Sequence, residues 1–193
     1  TDSKTVVPMV SSMDHKRALD GDKGLNTGGM GTIAPNPCYT EACAKEAMEN
    51  IFLPTIHAMN AEGCPFKGCL YFGLMITPNG IKVIEYNCRF GDPETQVVLP
   101  LLKTDLFTIF NAVCDETLSD LSIEWADEAA ACVVMASGGY PQKYQTRCEI
   151  TGLDENGQSS LATVYHAGTK LENGKLLTSG GRVLGVTCTA PTL

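Results

Sequence analysis

The stretch Val83-Ile84-Glu85-Tyr86-Asn87-Cys88-Arg89-Phe90-Gly91-Asp92-Pro93-Glu94-Thr95-Gln96 opens as a strand and then departs from what a core strand tolerates. Side chains alternate across a strand, so strict alternation places Ile84, Tyr86, Cys88 and Phe90 on one apolar, core-like face. The same rule puts Val83, Glu85, Asn87 and Arg89 on the other. An acid, an amide and a guanidinium in one line are costly to bury without partners. Two readings follow. The line is either structural, an exposed strand face or an Arg–Glu pair holding Asn87, or it is a set of groups waiting for a ligand.

The neighbouring sequence makes the line part of a hairpin. Cys69–Ile76 is a nearly continuous apolar run, Pro78-Asn79-Gly80 is a turn signal, and Ile81–Cys88 returns as the second strand. After it, Asp92 is expected to cap a helix with Pro93 at the first position and Glu94 in the first turn. Pro100 interrupts that helix. A further helix starts near Thr104 or Asp105 and is expected to turn Leu106, Phe107, Ile109, Phe110 and Val113 inward. Upstream, Thr40 can cap a helix from Glu41 to about Glu62, with Ala44, Ala47, Met48, Ile51 and Phe52 on one side and a kink at Pro54. Residues 4–13 look strand-like. Asp14 to Pro37 is glycine-rich without an apolar period and reads as a long loop, a form that is usually functional or disordered.

The texture changes after Ser119–Asp127. AAACVVMAS, SSLATVYHAG, GKLLTSG and RVLGVTCTA read as short strands separated by turn sequences. The expected organisation is α+β, with residues 1–125 as one domain and residues 126–193 as a small β-rich C-terminal subdomain.

Composition sets limits on function. The chain has 193 residues, 44% hydrophobic and 19% charged, enough to bury a core. No apolar run approaches the roughly 18 residues of a membrane helix, and TDSKTVVPMV has no secretory-signal pattern. The net charge of −8, with Lys and Arg scattered singly, argues against nucleic acid as a partner. Nine cysteines, an odd number with no Cys-x-x-Cys, read as buried reduced thiols in a cytoplasmic protein rather than as a zinc site.

For the polar line, the ligand reading is a nucleotide–metal site. Mg²⁺ takes oxygen ligands, often one or two from protein and the rest from phosphate and water. Glu85 and Asn87, two residues apart, can point at one ion, and Arg89 can meet a phosphate bidentately. The run Asn26-Thr27-Gly28-Gly29-Met30-Gly31 is not a P-loop, but adjacent glycines can let backbone N–H groups approach an anion.

Glu-x-Asn-x-Arg at the end of a hairpin strand resembles the metal and phosphate site of ATP-grasp ligases. The continuation Arg89-Phe90-Gly91-Asp92-Pro93-Glu94-Thr95-Gln96-Val97-Val98-Leu99 is similar to the signature of the phosphoribosylamine–glycine ligases. Asp14-His15-Lys16-Arg17, the loop Asn26–Gly31, and VVMASGGYP, HAGTKLENGK and SGGRVLGVT also follow that family's order. The resemblance implies the second half of an ATP-grasp domain followed by an incomplete C-terminal subdomain. It implies ATP, glycine and 5-phosphoribosylamine as small-molecule substrates and Mg²⁺ or Mn²⁺ as the metal. Metal ligation falls to Glu85 and Asn87, and catalytic charge stabilisation to Arg89. Substrate and phosphate contacts fall to Asp14, Lys16, Asn26, Thr27, Gly28, Gly29, Met30, Gly31, Gly91, Asp92 and Glu94. No acid stands in Tyr71–Met75, where many ATP-grasp proteins place another metal ligand. The family's enzymes are longer chains, so the expectation is a fragment of a cytoplasmic, purine-biosynthetic ligase, inactive alone, from a monomeric parent. Another ATP-grasp ligase, or a non-catalytic module using the polar strand as an ion-pair seam, would fit the bare strand pattern.

Overall fold

The computed structural model describes residues 1–193. In chain order its strands and helices are β1 (Met13–Asp14), β2 (Arg17–Leu19), β3 (Lys23–Asn26), β4 (Gly31–Ala34), α1 (Glu41–Ala47), α2 (Leu53–Ala61), β5 (Tyr71–Thr77) and β6 (Gly80–Asn87). They continue with α3 (Thr95–Val98), α4 (Leu106–Cys114), β7 (Ala129–Ala136), β8 (Thr163–His166), β9 (Thr169–Glu172), β10 (Lys175–Thr178) and β11 (Arg182–Ala190). The chain is α+β and divides into two compact units, each built from separated stretches.

The first unit comprises Thr1–Ser11, Asn36–Gly91 and Leu102–Ala126. Thr40 caps α1 by accepting from the Cys43 N–H at 3.3 Å, and helical structure runs from Glu41 to Ala61. Pro54 lies at the start of α2, directly after a π-helical turn, Met48–Phe52. Ala47, Phe52 and Ile81 form a buried core with Met48, Ile51, Phe72 and Leu74 packed on it. The start of the chain is not a strand: residues 4–12 have no ladder partner. It is tied down instead by the buried Asp2 carboxylate. Asp2 accepts from the N–H groups of Thr5 (2.6 Å), Lys4 (3.0 Å) and Leu118 (3.2 Å). Burial alone would raise this carboxyl, but those three N–H donors, with the Asp2 N–H itself, outweigh it and hold the group below its usual range.

The β5–β6 hairpin forms as expected, with Thr77 opposite Gly80. Its faces differ from strict alternation because a bulge intervenes. Gly73 pairs with Glu85 but Leu74 pairs with Val83, which leaves Ile84 as the extra residue. Across from Phe72, Leu74 and Ile76 stand Tyr86, Val83 and Ile81, so Val83 shares its face with Tyr86 and not with Glu85 and Asn87. The expected core line is not buried either: Ile84 is 60% exposed, Tyr86 49%, and Cys88 is exposed. In α4, Asp105 caps by accepting from the Thr108 N–H at 2.8 Å. Val113 is buried there, whereas Phe107 and Phe110 are exposed, Phe110 keeping an edge contact with the Phe90 ring.

The second unit comprises Ser12–Pro35, Asp92–Leu101 and Asp127–Leu193. Its main sheet has the order β1-β4-β7-β11-β8, antiparallel throughout, with β2–β3 and β9–β10 as separate hairpins. Asp14 to Pro37 is therefore not one loop. It supplies two strands of the sheet and a hairpin, and β4 is nearly all buried against β7. β7 alternates buried Cys132 and Val134 with exposed Val133 and Met135. Val164, Val183 and Leu184 make a second core cluster. All nine cysteines are free thiols, but only Cys132 is buried; six are exposed, since they fall in loops, at element ends or on solvent-facing strand positions.

Candidate functional site

The residues singled out in the sequence fall into two groups, each held within one unit. In the first unit, Glu85 and Asn87 sit opposite Gly73 and Tyr71 and so share one face of the hairpin. Gly73 makes the bed for Glu85: a Cβ there would lie 2.8 Å from Glu85 Cγ. Arg89 follows the end of β6 and folds back. It donates to the Phe90 carbonyl at 2.9 Å and, over 3.4 Å, to Asn87 Oδ1. Glu85 and Arg89 form no ion pair, so the seam reading lacks its central contact. Glu85 is exposed and its carboxylate is unspent. A carboxylate and an amide oxygen on one rigid strand suit a hard cation such as Mg²⁺, which completes its shell with phosphate and water. No group of three His, Cys, Asp or Glu side chains gathers anywhere in the chain, so a protein-only cage is not built. The donor set fits a nucleotide-borne metal.

In the second unit the glycine-rich segment folds tightly. The N–H of Thr27 donates to the Lys16 carbonyl at 2.8 Å and that of Met30 to the His15 carbonyl at 2.8 Å. The N–H of Gly28 donates to the Tyr140 hydroxyl at 3.0 Å, and that of Gly29 to Thr27 Oγ1 at 3.0 Å. Four successive donors are thus engaged inside the protein, so the segment is not an open anion nest in this state. Its glycines serve close packing. A Cβ on Gly29, at φ +116°, would fall 2.5 Å from Pro93 Cδ and 2.6 Å from Asp14 Oδ1; on Gly31 it would fall 2.7 Å from the Cys132 carbonyl oxygen. Asp14 pairs with Lys16 Nζ through Oδ2 at 2.7 Å, while its buried Oδ1 has no hydrogen-bond partner. Burial pushes the Cys132 thiol up, an effect partly offset by Thr187, which marks Cys132 as packing rather than a reactive thiolate.

The turn after the hairpin also differs from expectation. The helix begins at Thr95 with Glu94 as its N-cap residue and no side-chain cap, so Asp92 does not cap it. Asp92 instead uses both carboxylate oxygens laterally, accepting from Gln96 Nε2 at 2.7 Å and from Arg182 Nη2 at 3.0 Å. Glu94 is buried, at 6% exposure. Gly91 is buried and ends a stretch of the first unit, and Asp92 opens a stretch of the second. Arg182, Tyr140, Gln96 and Gly73 were not singled out in the sequence. The glycine pairs beside Tyr140 and Arg182, in Ser137-Gly138-Gly139-Tyr140 and Ser179-Gly180-Gly181-Arg182, are the signal that could have found two of them.

Residues 1–95 match the family profile described as "Phosphoribosylglycinamide synthetase, ATP-grasp (A) domain". Residues 130–193 match "Phosphoribosylglycinamide synthetase, C domain". The chain is 53% identical over 184 residues to a phosphoribosylamine–glycine ligase of Clostridium acetobutylicum, covering 95% of this chain and 43% of that protein. It is 49% identical over 188 residues to the human trifunctional purine biosynthetic protein adenosine-3, covering 97% of this chain and 18% of that one. Its fold matches the crystal structure of phosphoribosylamine–glycine ligase from Thermotoga maritima with a TM-score of 0.82 at 33% identity, over 95% of this chain and 44% of that one. The chain therefore spans less than half the length of the single-activity relatives it matches.

Proposed function

The chain belongs to the phosphoribosylglycinamide synthetase family, and from that premise we propose that it carries part of the site of an ATP-dependent ligase. The ligase joins glycine to 5-phosphoribosylamine, giving glycinamide ribonucleotide, ADP and phosphate in purine biosynthesis. The observation that carries this reading is the pairing of Glu85 and Asn87 on one face of β6, with Arg89 folded back beside them, inside a chain that matches both family domains in order.

In the proposed reaction the glycine carboxylate attacks the γ-phosphorus of ATP, the bond to the ADP oxygen breaks, and the acyl phosphate is then opened by the sugar amine with loss of phosphate. Glu85 and Asn87 would hold Mg²⁺ or Mn²⁺, which supplies charge neutralisation on the nucleotide when bound. Arg89, always cationic and two-pronged, offsets the charge spreading over the transferring phosphoryl oxygens. To reach a phosphate it exchanges a long contact to Asn87 and a bond to the Phe90 carbonyl, both open to solvent. Asn26, Thr27, Gly28, Gly29, Met30 and Gly31, together with Asp14 and Lys16, would contact substrate and phosphate. Gly91, Asp92 and Glu94 shape the turn that borders the glycine or sugar pocket.

Complete turnover is expected to need the additional length that the relatives carry. We further propose a domain boundary near residue 125, a cytoplasmic setting and a monomeric parent enzyme. No helix is long and apolar enough to cross a membrane. Calorimetric titration of the 193-residue chain with Mg-ADP tests the reading. Heat of binding that disappears when EDTA removes the metal supports it, and identical heats with and without metal would overturn it.

A further inference from the structure

We propose that Arg182, working with Tyr140, is a positioning residue that clasps the tip of the glycine-rich segment to the Asp92 turn and presents the two as one surface. The proposal rests on the ligase reading above and names a device for it in the β-rich part of the chain. Arg182 Nη1 donates to the Gly28 carbonyl at 2.7 Å and to the Asp92 carbonyl at 2.8 Å. Nη2 donates to Asp92 Oδ2 at 3.0 Å. Three acceptors from two stretches separated by more than sixty positions in sequence, Gly28 and Asp92, thus converge on one planar fork, a geometry that lysine cannot reproduce. Tyr140 completes the hold at the same residue, its hydroxyl accepting the Gly28 N–H from the preceding peptide. Both polar groups of residue 28 are fixed.

The glycine pairs around these two residues explain how the fork is aimed. A Cβ on Gly181 would fall 2.3 Å from the Tyr140 ring, and one on Gly180 would fall 2.9 Å from Gly168 Cα. Ser137 locks the turn by donating its N–H to the Gly181 carbonyl at 2.8 Å and its Oγ–H to the Gly180 carbonyl at 2.7 Å. Only glycine lets the ring and the turn approach this closely. The Arg182 side chain is about three-quarters covered, with 23% of it exposed, whereas the Asp92 carboxylate it grips is 53% exposed. The clasp spends the Asp92 carboxylate and the Gly28 peptide on architecture. What it leaves toward substrate is a fixed wall, which is what binding a phosphate-bearing sugar without ordering cost requires.

The test uses the ¹⁵N-labelled 193-residue chain, with amide exchange at Gly28 and Gly29 and titration with ribose 5-phosphate. For Arg182→Met, exchange at both glycines is expected to quicken at least tenfold and the ribose 5-phosphate Kd to rise at least fivefold. Arg182→Lys is expected to restore less than half of either loss. For Tyr140→Phe, Gly28 exchange should quicken about fivefold while Gly29 changes less than twofold, a residue-resolved pattern that general loosening would not give. A folded Arg182→Met chain with exchange and Kd both within twofold of the parent overturns the clasp. If that variant does not fold, Tyr140→Phe decides by the same exchange criterion. A parent chain that ignores ribose 5-phosphate while Arg182→Met still frees Gly28 and Gly29 overturns the ligand reading and leaves the clasp standing.

Discussion

The end of β6 and the glycine-rich segment are both glycine-flanked and both assigned to ligand, yet they are built on opposite terms. At β6 Glu85 is exposed with no ion pair, and Arg89 holds Asn87 across 3.4 Å and the Phe90 carbonyl at 2.9 Å, both open to solvent. In the segment from Thr27 to Met30 every backbone N–H already has a protein acceptor. The strand offers chemistry on a scaffold made elsewhere. The segment is itself scaffold, and its glycines are there for closeness, not for flexibility. Glycine richness alone therefore does not distinguish an anion cradle from a packed wall; the fate of each N–H does.

Substitutions can break that contrast. Gly29→Val puts a branched side chain at φ +116° against Pro93 and Asp14, so it should cost about 3 kcal/mol or more in denaturant-monitored stability. A loss under 1 kcal/mol would mean that the segment yields and is not a wall. Gly63→Ala is the control, with open space around it and strain only from φ +73°, and it should cost about 1 kcal/mol.

Acid should act next, and on the first unit. The Asp2 carboxyl is held below its ordinary value, so its contribution is full above about pH 4 and disappears as pH falls through the lowered value. Asp2→Asn should remove about 2 kcal/mol at neutral pH, because an amide N–H₂ cannot accept from the Leu118 N–H. It should also flatten the acid limb of the stability curve. A variant with an unchanged acid limb would assign that limb to other carboxylates.

The strand end should respond in binding and not in folding. Glu85→Gln is expected to weaken Mg-ADP at least tenfold, about 1.4 kcal/mol, while stability moves by less than about 0.5 kcal/mol. The reverse pattern, a lower melting point with binding intact, would restore the seam reading. The smallest effect is expected from Gly73→Ala. Its Cβ displaces only the flexible stem of Glu85, so metal-nucleotide affinity should fall about threefold with the hairpin intact by circular dichroism.

Much of this was legible wherever the cause is local. Thr40 and Asp105 cap their helices within three residues, and Pro78-Asn79 turns the hairpin between strands that meet across it. What escaped depends on partners far along the chain. The bulge at Ile84 comes from the register with Gly73 and Leu74, and it reverses the face of Val83. β4 looks like loop because Gly31 to Ala34 gain their ladder only from Val133 to Ala130. Arg182 is one scattered cation until it meets Gly28 and Asp92. The polar trio at β6 was readable as a ligand pattern, but the clasp was not, since no local period encodes it.

The pairing of β4 with β7 also bears on the order of events in time. As the chain emerges N-terminus first, β4 lies ready while its central neighbour, Ala129–Ala136, has still to be made. Until then the strand presents unpaired backbone on that edge, a surface that invites other chains. The glycine-rich wall, hung between β3 and β4, cannot reach its final shape before β7, Tyr140 and Arg182 arrive. The segment whose backbone donors are all engaged at the end is thus among the last to be settled during synthesis.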